Sequence, residues 1–241
     1  SYYKTAEKKC GTINIMLVID ADLPPGILAR ALVTCTEAKT AALQELMAPS
    51  RYSTGLATGS GTDQTIVVAN SESPLFFEGA GKHSKLGELI GLAVMAAVKE
   101  ALKRQSGLTP AQQHDLLRRL RRFGVTEEAL WQRYKEEAGA DALIKAQFIA
   151  ALEKMTAVPA LFPLGVLFIH LYDEHLWGLL EKEETWEAAE KLLKEMAAAL
   201  RLKTQEGMLM KEDYMESLAR FLVRAVVERA ARAVSEAKGC R

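Results

Sequence analysis

Apolar positions change their spacing partway along the chain, and the elements they predict change with them. Thr12 to Ile19 (TINIMLVI) is a short apolar, β-branched run, which predicts a buried strand. Asp22-Leu23-Pro24-Pro25-Gly26 breaks it. From Ile27 to Leu46 the apolar residues fall at helical spacing, including Ala31, Cys35, Ala38, Ala42 and Leu46. Pro49 to Gly61 has the composition of a loop, Thr65 to Ala69 (TIVVA) reads as a second strand, and Leu75 to Phe77 as a short third. Leu86 to Leu102 is a second amphipathic helix, with Gly81-Lys82-His83-Ser84 at its entrance. A β-α-β-(β)-α order predicts an α/β domain, a mixed sheet packed by helices.

Beyond Gln105 the pattern is helical throughout, predicting an all-α helical bundle domain. The expected domains are 1–105 and 106–241. Thr109 and Pro110 have the chemistry of an N-cap and first helical position, and the helix they open is expected to run from Pro110 to Phe123 and end at Gly124. Further helices are expected over Glu127 to Ala138, capped by Thr126 and stopped by Gly139, and over Asp141 to Met155, Thr185 to Leu202 and Glu212 to Ala237. Leu164 to Leu180 is apolar on nearly every side. It is expected to be the buried central helix of the bundle, so that Leu167→Ala costs about 2–5 kcal/mol.

Composition narrows the function. The chain has 241 residues, 31 Lys+Arg against 31 Asp+Glu, and 49% apolar residues. A zero formal net charge argues against nucleic acid as the partner, because neutralising phosphates needs a basic surplus. The apolar share suits a folded protein with a substantial core. Cys10, Cys35 and Cys240 form no CxxC pair, and the odd, widely spaced count points to a reducing compartment. The longest apolar run, Ala157 to Ile169, carries Pro159 and Pro163 and is shorter than the ~20 residues of a membrane helix. A cytoplasmic protein without a membrane span is expected. His170 and His175 are five positions apart, on different helix faces, unlike the i, i+4 histidines of a zinc helix; a structural role and no metal site are expected there. Trp131, Trp177 and Trp186 read as core residues.

Polar chemistry concentrates in three places before residue 90. Thr34-Cys35-Thr36-Glu37-Ala38-Lys39-Thr40 is poor helix material, explained either by a solvated face or by hydroxyls and charges that line a site; Thr36 and Thr40 share a face, and Glu37 and Lys39 do not. Gly55 to Gln64 places hydroxyls and Asp63 among glycines, and a backbone curled this way converges N–H groups on an oxyanion or phosphate; a plain connector is the alternative. It matches neither a P-loop nor a dinucleotide fingerprint. Gly81-Lys82-His83-Ser84-Lys85-Leu86-Gly87-Glu88 sets a histidine at a helix start, with Ser84 as candidate cap and Glu88 in the first turn. Imidazole is the side chain best suited to proton transfer near neutral pH.

Gly11-Thr12-Ile13-Asn14-Ile15, Thr36-Glu37-Ala38-Lys39-Thr40-Ala41-Ala42-Leu43, Ala57-Thr58-Gly59-Ser60-Gly61-Thr62-Asp63 and Gly81 through Gly91 (GKHSKLGELIG), in this order, resemble the adenosylcobinamide amidohydrolase family over roughly residues 10 to 103. The resemblance implies a corrinoid-salvage enzyme that hydrolyses the amide joining aminopropanol to the corrin ring, giving adenosylcobyric acid. No cofactor is required, and the cobalt corrin is the substrate. The family's further Thr- and Gly-rich amino-terminal half has no counterpart here. The expectation is a fragment or processed product, a reduced relative, or a missing half supplied by another chain, with a homo-oligomer as a further possibility.

The resemblance and the residue types together give the expected site. His83 or Asp63 shuttles the proton, and Thr58, Thr62 or an activated water attacks. Glu37 and Lys39 orient or polarise. If these blocks build one pocket, Thr58, Asp63 and His83 are expected to converge, with Glu37 and Lys39 lining the same cleft or its rim. Gly59, Gly61, Lys82 and Ser84 bind the substrate and its oxyanion. Because Asp63 and His83 sit in glycine-flanked loops, replacing either is expected to leave the fold intact. The alternatives are a non-enzymatic corrinoid-binding or regulatory protein and, more weakly, a helical interaction protein whose first domain is a scaffold.

Overall fold

The computed structural model describes residues 11–137, 143–202 and 213–239, and they divide into two compact units, 1–113 and 114–241. In the first unit β1 (Asn14–Ile19) and β2 (Gln64–Ala69) pair in parallel, Asn14 opposite Gln64 and Ile19 opposite Ala69. The helices α1 (Pro25–Glu45) and α2 (Lys85–Ser106) pack on one face of this ladder. Alternation puts Ile15, Leu17 and Ile19 of β1 and Val67 and Ala69 of β2 toward the helices. There they meet Ala31, Cys35, Ala38 and Ala42 of α1 and Ile90, Val94 and Val98 of α2. This is the α/β unit the chain pattern predicts, with a parallel ladder instead of a mixed sheet among the described residues.

Leu75 to Phe77 forms no third strand. Asp22 N–H donates to the Leu75 carbonyl (2.8 Å) and Phe77 N–H to the Asp22 carbonyl (3.2 Å), a single bridge that extends the β1–β2 pairing. Ser84 caps α2 as expected: its Oγ accepts from Gly87 N–H (3.0 Å) and donates to the Gly81 carbonyl (2.8 Å). A Cβ at Gly87 would lie 2.0 Å from the Gly81 carbonyl oxygen, so only glycine lets the entrance turn fold back on the first turn of α2.

The expected helix from Pro110 to Phe123 is broken. Thr109 Oγ1 caps the short α3 (Pro110–Gln113), accepting from Gln112 N–H at 3.2 Å. Asp115 then adopts extended backbone and caps α4 (Leu116–Leu120), accepting from Arg118 N–H at 3.0 Å, and a 3₁₀ turn leads to Gly124. An Asp that competes for a backbone N–H starts a new helix more readily than it continues an old one.

The second unit continues with α5 (Glu127–Glu137), α6 (Lys145–Thr156), α7 (Leu161–Leu176), α8 (Lys182–Ala199) and α9 (Tyr214–Gly239). The expected helix ends at Ala138 and Gly139 and the starts at Asp141 and Glu212 lie outside the described residues. The core is aromatic and aliphatic: Phe148, Phe168, Tyr214, Leu193, Met196 and Leu222 are fully buried, and Tyr214 donates to the Phe168 carbonyl at 2.9 Å. Arg122 and Asp173 form a buried bidentate pair within it.

The central helix departs from expectation. It starts at Leu161, ends at Leu176 and buries one stripe, Leu161, Gly165, Phe168, Ile169 and Asp173; Leu167 is 52% exposed, and Leu176, Trp177 and Leu179 are exposed as well. Apolar composition on every side therefore does not mean burial on every side. Trp131 and Trp186 pack against the core, whereas Trp177 does not. His170 and His175 diverge as expected, the first toward Glu174 (3.4 Å) and the second toward the Leu180 carbonyl (3.2 Å). Among the described residues no single helix is long and apolar enough to cross a membrane.

Candidate functional site

The sequence-predicted residues fall into two groups on either flank of α1. The first is built on the loop that enters β2. Thr40 Oγ1 donates to the Thr58 carbonyl (3.0 Å) and Gln44 Nε2 to the Ala57 carbonyl (3.1 Å), so the carboxyl half of α1 carries the glycine loop. Lys39 Nζ donates to Asp63 Oδ2 at 2.5 Å, with both side chains about nine-tenths buried. The same carboxylate accepts from Ser60 N–H (2.9 Å), from Ile13 N–H (2.9 Å) and from Ser60 Oγ. Asp63 thus joins α1, the loop and the start of β1. A Cβ on Gly59 would sit 2.6 Å from Asp63 Oδ2 and 3.0 Å from Lys39 Nζ, so a side chain there would have to push the ion pair aside. Thr62 Oγ1 meets Thr12 Oγ1 at 2.6 Å across the two strand entrances, and Thr58 and Gly61 lie exposed on the rim.

Burial alone would raise the Asp63 pKa. The hydrogen bonds from Lys39, from the Ser60 hydroxyl and from the Ser60 and Ile13 amides outweigh it and bring the carboxyl down to about 2. A carboxylate with four donors and so low a pKa is a poor proton acceptor at neutral pH. Its geometry is that of a clamp. In place of the neutral replacement expected from its glycine-flanked setting, this geometry predicts a stability cost at Asp63, because removing its charge would leave Lys39 buried without its counter-ion.

The second group surrounds the entrance to α2. Thr34 Oγ1 donates to the Ala80 carbonyl (2.8 Å), fixing the turn to α1. Arg30, Gly79, Gly81, Lys82, His83 and Ser84 line an open hollow of about 450 Å³. Glu37 bridges this side, 3.3 Å from Lys82 Nζ and 3.7 Å from Arg30. His83 is exposed at the rim. The Ser84 hydroxyl is spent on the cap and on Gly81, which suits a structural part better than ligand binding.

His83 is not among the partners of Asp63, and the expected convergence of Thr58, Asp63 and His83 in one pocket is not met: Thr58 and Asp63 lie on the Lys39 flank of α1 and His83 on the Arg30 flank. Arg30, beside Gly81, and Lys39, beside Asp63, are nine residues apart on α1, which is two and a half turns: about 13 Å along the axis and on opposite faces. Between the flanks α1 presents an outward face where Leu32, Val33, Thr36, Glu37 and Thr40 line a shallow hollow of about 400 Å³. Leu32 and Val33 are 42% and 41% exposed. All three polar clusters therefore border one face of one helix. Sequence reasoning passed over Ser60, whose hydroxyl and amide both donate to Asp63; its three-residue offset from Asp63 in a glycine loop is the available signal.

These features define a small βαβα unit whose helix α1 carries a polar loop on each flank. Residues 1–110 match the model of the adenosylcobinamide amidohydrolase family. The chain is also 45% identical, over 100 residues, to an uncharacterized protein of Methanocaldococcus jannaschii; the match covers 41% of this chain and 38% of that protein. The chain thus spans well under half the length of this relative. No solved structure matches the chain.

Proposed function

We propose that the first unit binds a corrinoid on the outward face of α1 and hydrolyses the amide that joins aminopropanol to the corrin ring of adenosylcobinamide, releasing adenosylcobyric acid. One observation carries the reading: within the segment that matches the family, the apolar strip of Leu32 and Val33 is bordered by hydroxyls and flanked by both polar loops. A flat macrocycle can rest on such a strip while its polar side arms reach the loops. Of the two shuttle candidates, His83 takes the proton-transfer role, and Asp63 positions the glycine loop through Lys39, Ser60 and Ile13. Gly59 and Gly61, on the flank of α1 away from His83, offer backbone N–H groups to another polar arm of the substrate. The attacking water oxygen joins the carbonyl carbon, the C–N bond breaks, and His83 carries a proton to the departing amine. Such a hydrolysis draws on no cofactor besides the corrinoid substrate itself.

The commitment of Asp63 to its clamp favours one other reading, a protein that binds corrinoids without hydrolysing them. Incubation with adenosylcobinamide separates the two. Release of aminopropanol is the expected result. Saturable binding without release supports the binding protein, and no binding overturns both.

A further inference from the structure

The face of the β1–β2 ladder turned away from the helices is apolar and open. Met16 and Val18 are 74% and 70% exposed and Ile66 and Val68 55% and 45%, while their alternates face the core. Neither strand carries a charge, so the lysines with which edge strands are usually protected are missing. Parallel sheets are almost always covered on both faces, and two strands alone are marginal in water. Among the described residues the β1 edge pairs with no second strand. Ile13 and Ile19 turn their carbonyls to β2, accepting from Gln64 N–H (3.2 Å) and Asn70 N–H (3.1 Å). By alternation Asn14, Met16 and Val18 then direct their amides and carbonyls to the other side.

Topology says what the cover must be. A right-handed crossover from β1 to β2 places α1 on one face, and α2 follows on the same face. Further helices reach the opposite face only on strands added in the other direction, beyond β1. After α2 the described residues contain no strand. A second copy stacked face to face is a poor alternative: two six-residue strands offer about 200 Å², against the ~800 Å² per partner of a stable interface. The Methanocaldococcus jannaschii relative carries well over half its length beyond the matched 100 residues.

We infer that the β1 edge and the outer face of Met16, Val18, Ile66 and Val68 are the docking surface for a strand-and-helix polypeptide, for which the part of the relative outside the match is the candidate source. It pairs a parallel strand with β1 and lays an amphipathic helix on the outer face. The inference stands apart from the corrinoid reading, because its test contains no corrinoid. The full chain is co-expressed with the part of the relative outside the matched residues, so that the added polypeptide can fold on its partner. Co-purification is expected, with exchange of the Asn14, Met16 and Val18 amides slowed by more than about tenfold. Val18→Lys and Ile66→Lys, which leave the circular dichroism of the chain alone unchanged because both sites are exposed, abolish the complex. Failure to co-purify overturns the inference, as does a complex that leaves these amides and both variants unaffected. A homodimer of the chain dissolved by Val18→Lys also overturns it, in favour of a second copy.

Discussion

The two units solve the burial problem with different side chains. The α/β unit packs its helices closely through Ala31, Cys35, Ala38, Ala42 and Ala80, and leaves four large apolar strand residues uncovered. The helical unit fills its interior with Phe148, Phe168, Tyr214, Met196 and a set of leucines, with Tyr172 stacked on Tyr214 at 4.8 Å. Small residues let backbones approach and bury little area each, whereas aromatic side chains bury the most. Stability within the helical unit therefore rests on side-chain volume. In the α/β unit an ion pair and a glycine loop share the task, and they sit where the proposed chemistry is.

Substitutions can break that contrast. Phe168→Ala, at a fully buried site, should cost about 3–5 kcal/mol, read from urea unfolding of the helical signal. A cost below about 1 kcal/mol would show that the aromatic core is loosely packed. Asp63→Asn should destabilise the α/β unit by about 2–3 kcal/mol, since it removes a charge that is nearly buried beside Lys39. If melting is unchanged, the clamp contributes nothing to the fold.

The same clamp predicts a pH dependence. Asp63 has a folded pKa of about 2 against a usual 3.8, so its stabilisation is complete above about pH 4 and is lost as the pH falls toward 2. The displacement is worth about 2 kcal/mol. Acid titration of the wild-type chain should show this loss, and Asp63→Asn should flatten it. The smallest effect is expected at Leu167→Ala, under about 1 kcal/mol, because half of that side chain already meets solvent. A loss of 2 kcal/mol or more there would restore the fully buried central helix.

Much of this architecture was legible in the pattern of residues. Ser84, Thr109 and Thr126 cap helices as their chemistry predicts, with Thr126 Oγ1 accepting from Ala129 N–H at 3.2 Å. Local signals of this kind need no knowledge of what packs where. The stripe that α7 buries depends on its neighbours and was not readable from a helix apolar all round. Asp115 was missed because a capping Asp inside a helical pattern resembles an ordinary polar position. In the site, the opposed directions of Glu37 and Lys39 followed from helical geometry alone. The pairing of Lys39 with Asp63 did not, because it spans 24 positions and depends on how the loop crosses α1.

On the proposed reading the two loops flanking α1 serve one reaction, His83 moving the proton and Asp63 holding the glycine loop that binds the substrate. The most direct test is the rate of aminopropanol release from adenosylcobinamide by the wild-type chain, His83→Ala and Asp63→Asn, each in the complex with any polypeptide the chain requires for turnover. His83→Ala should lower the rate about 10²–10⁴-fold with unchanged thermal stability, as removal of a general acid–base group does. Asp63→Asn should lower rate and stability together. Near-full rate in His83→Ala would contradict the account, and so would a loss in Asp63→Asn with stability untouched, which would return proton transfer to the carboxylate.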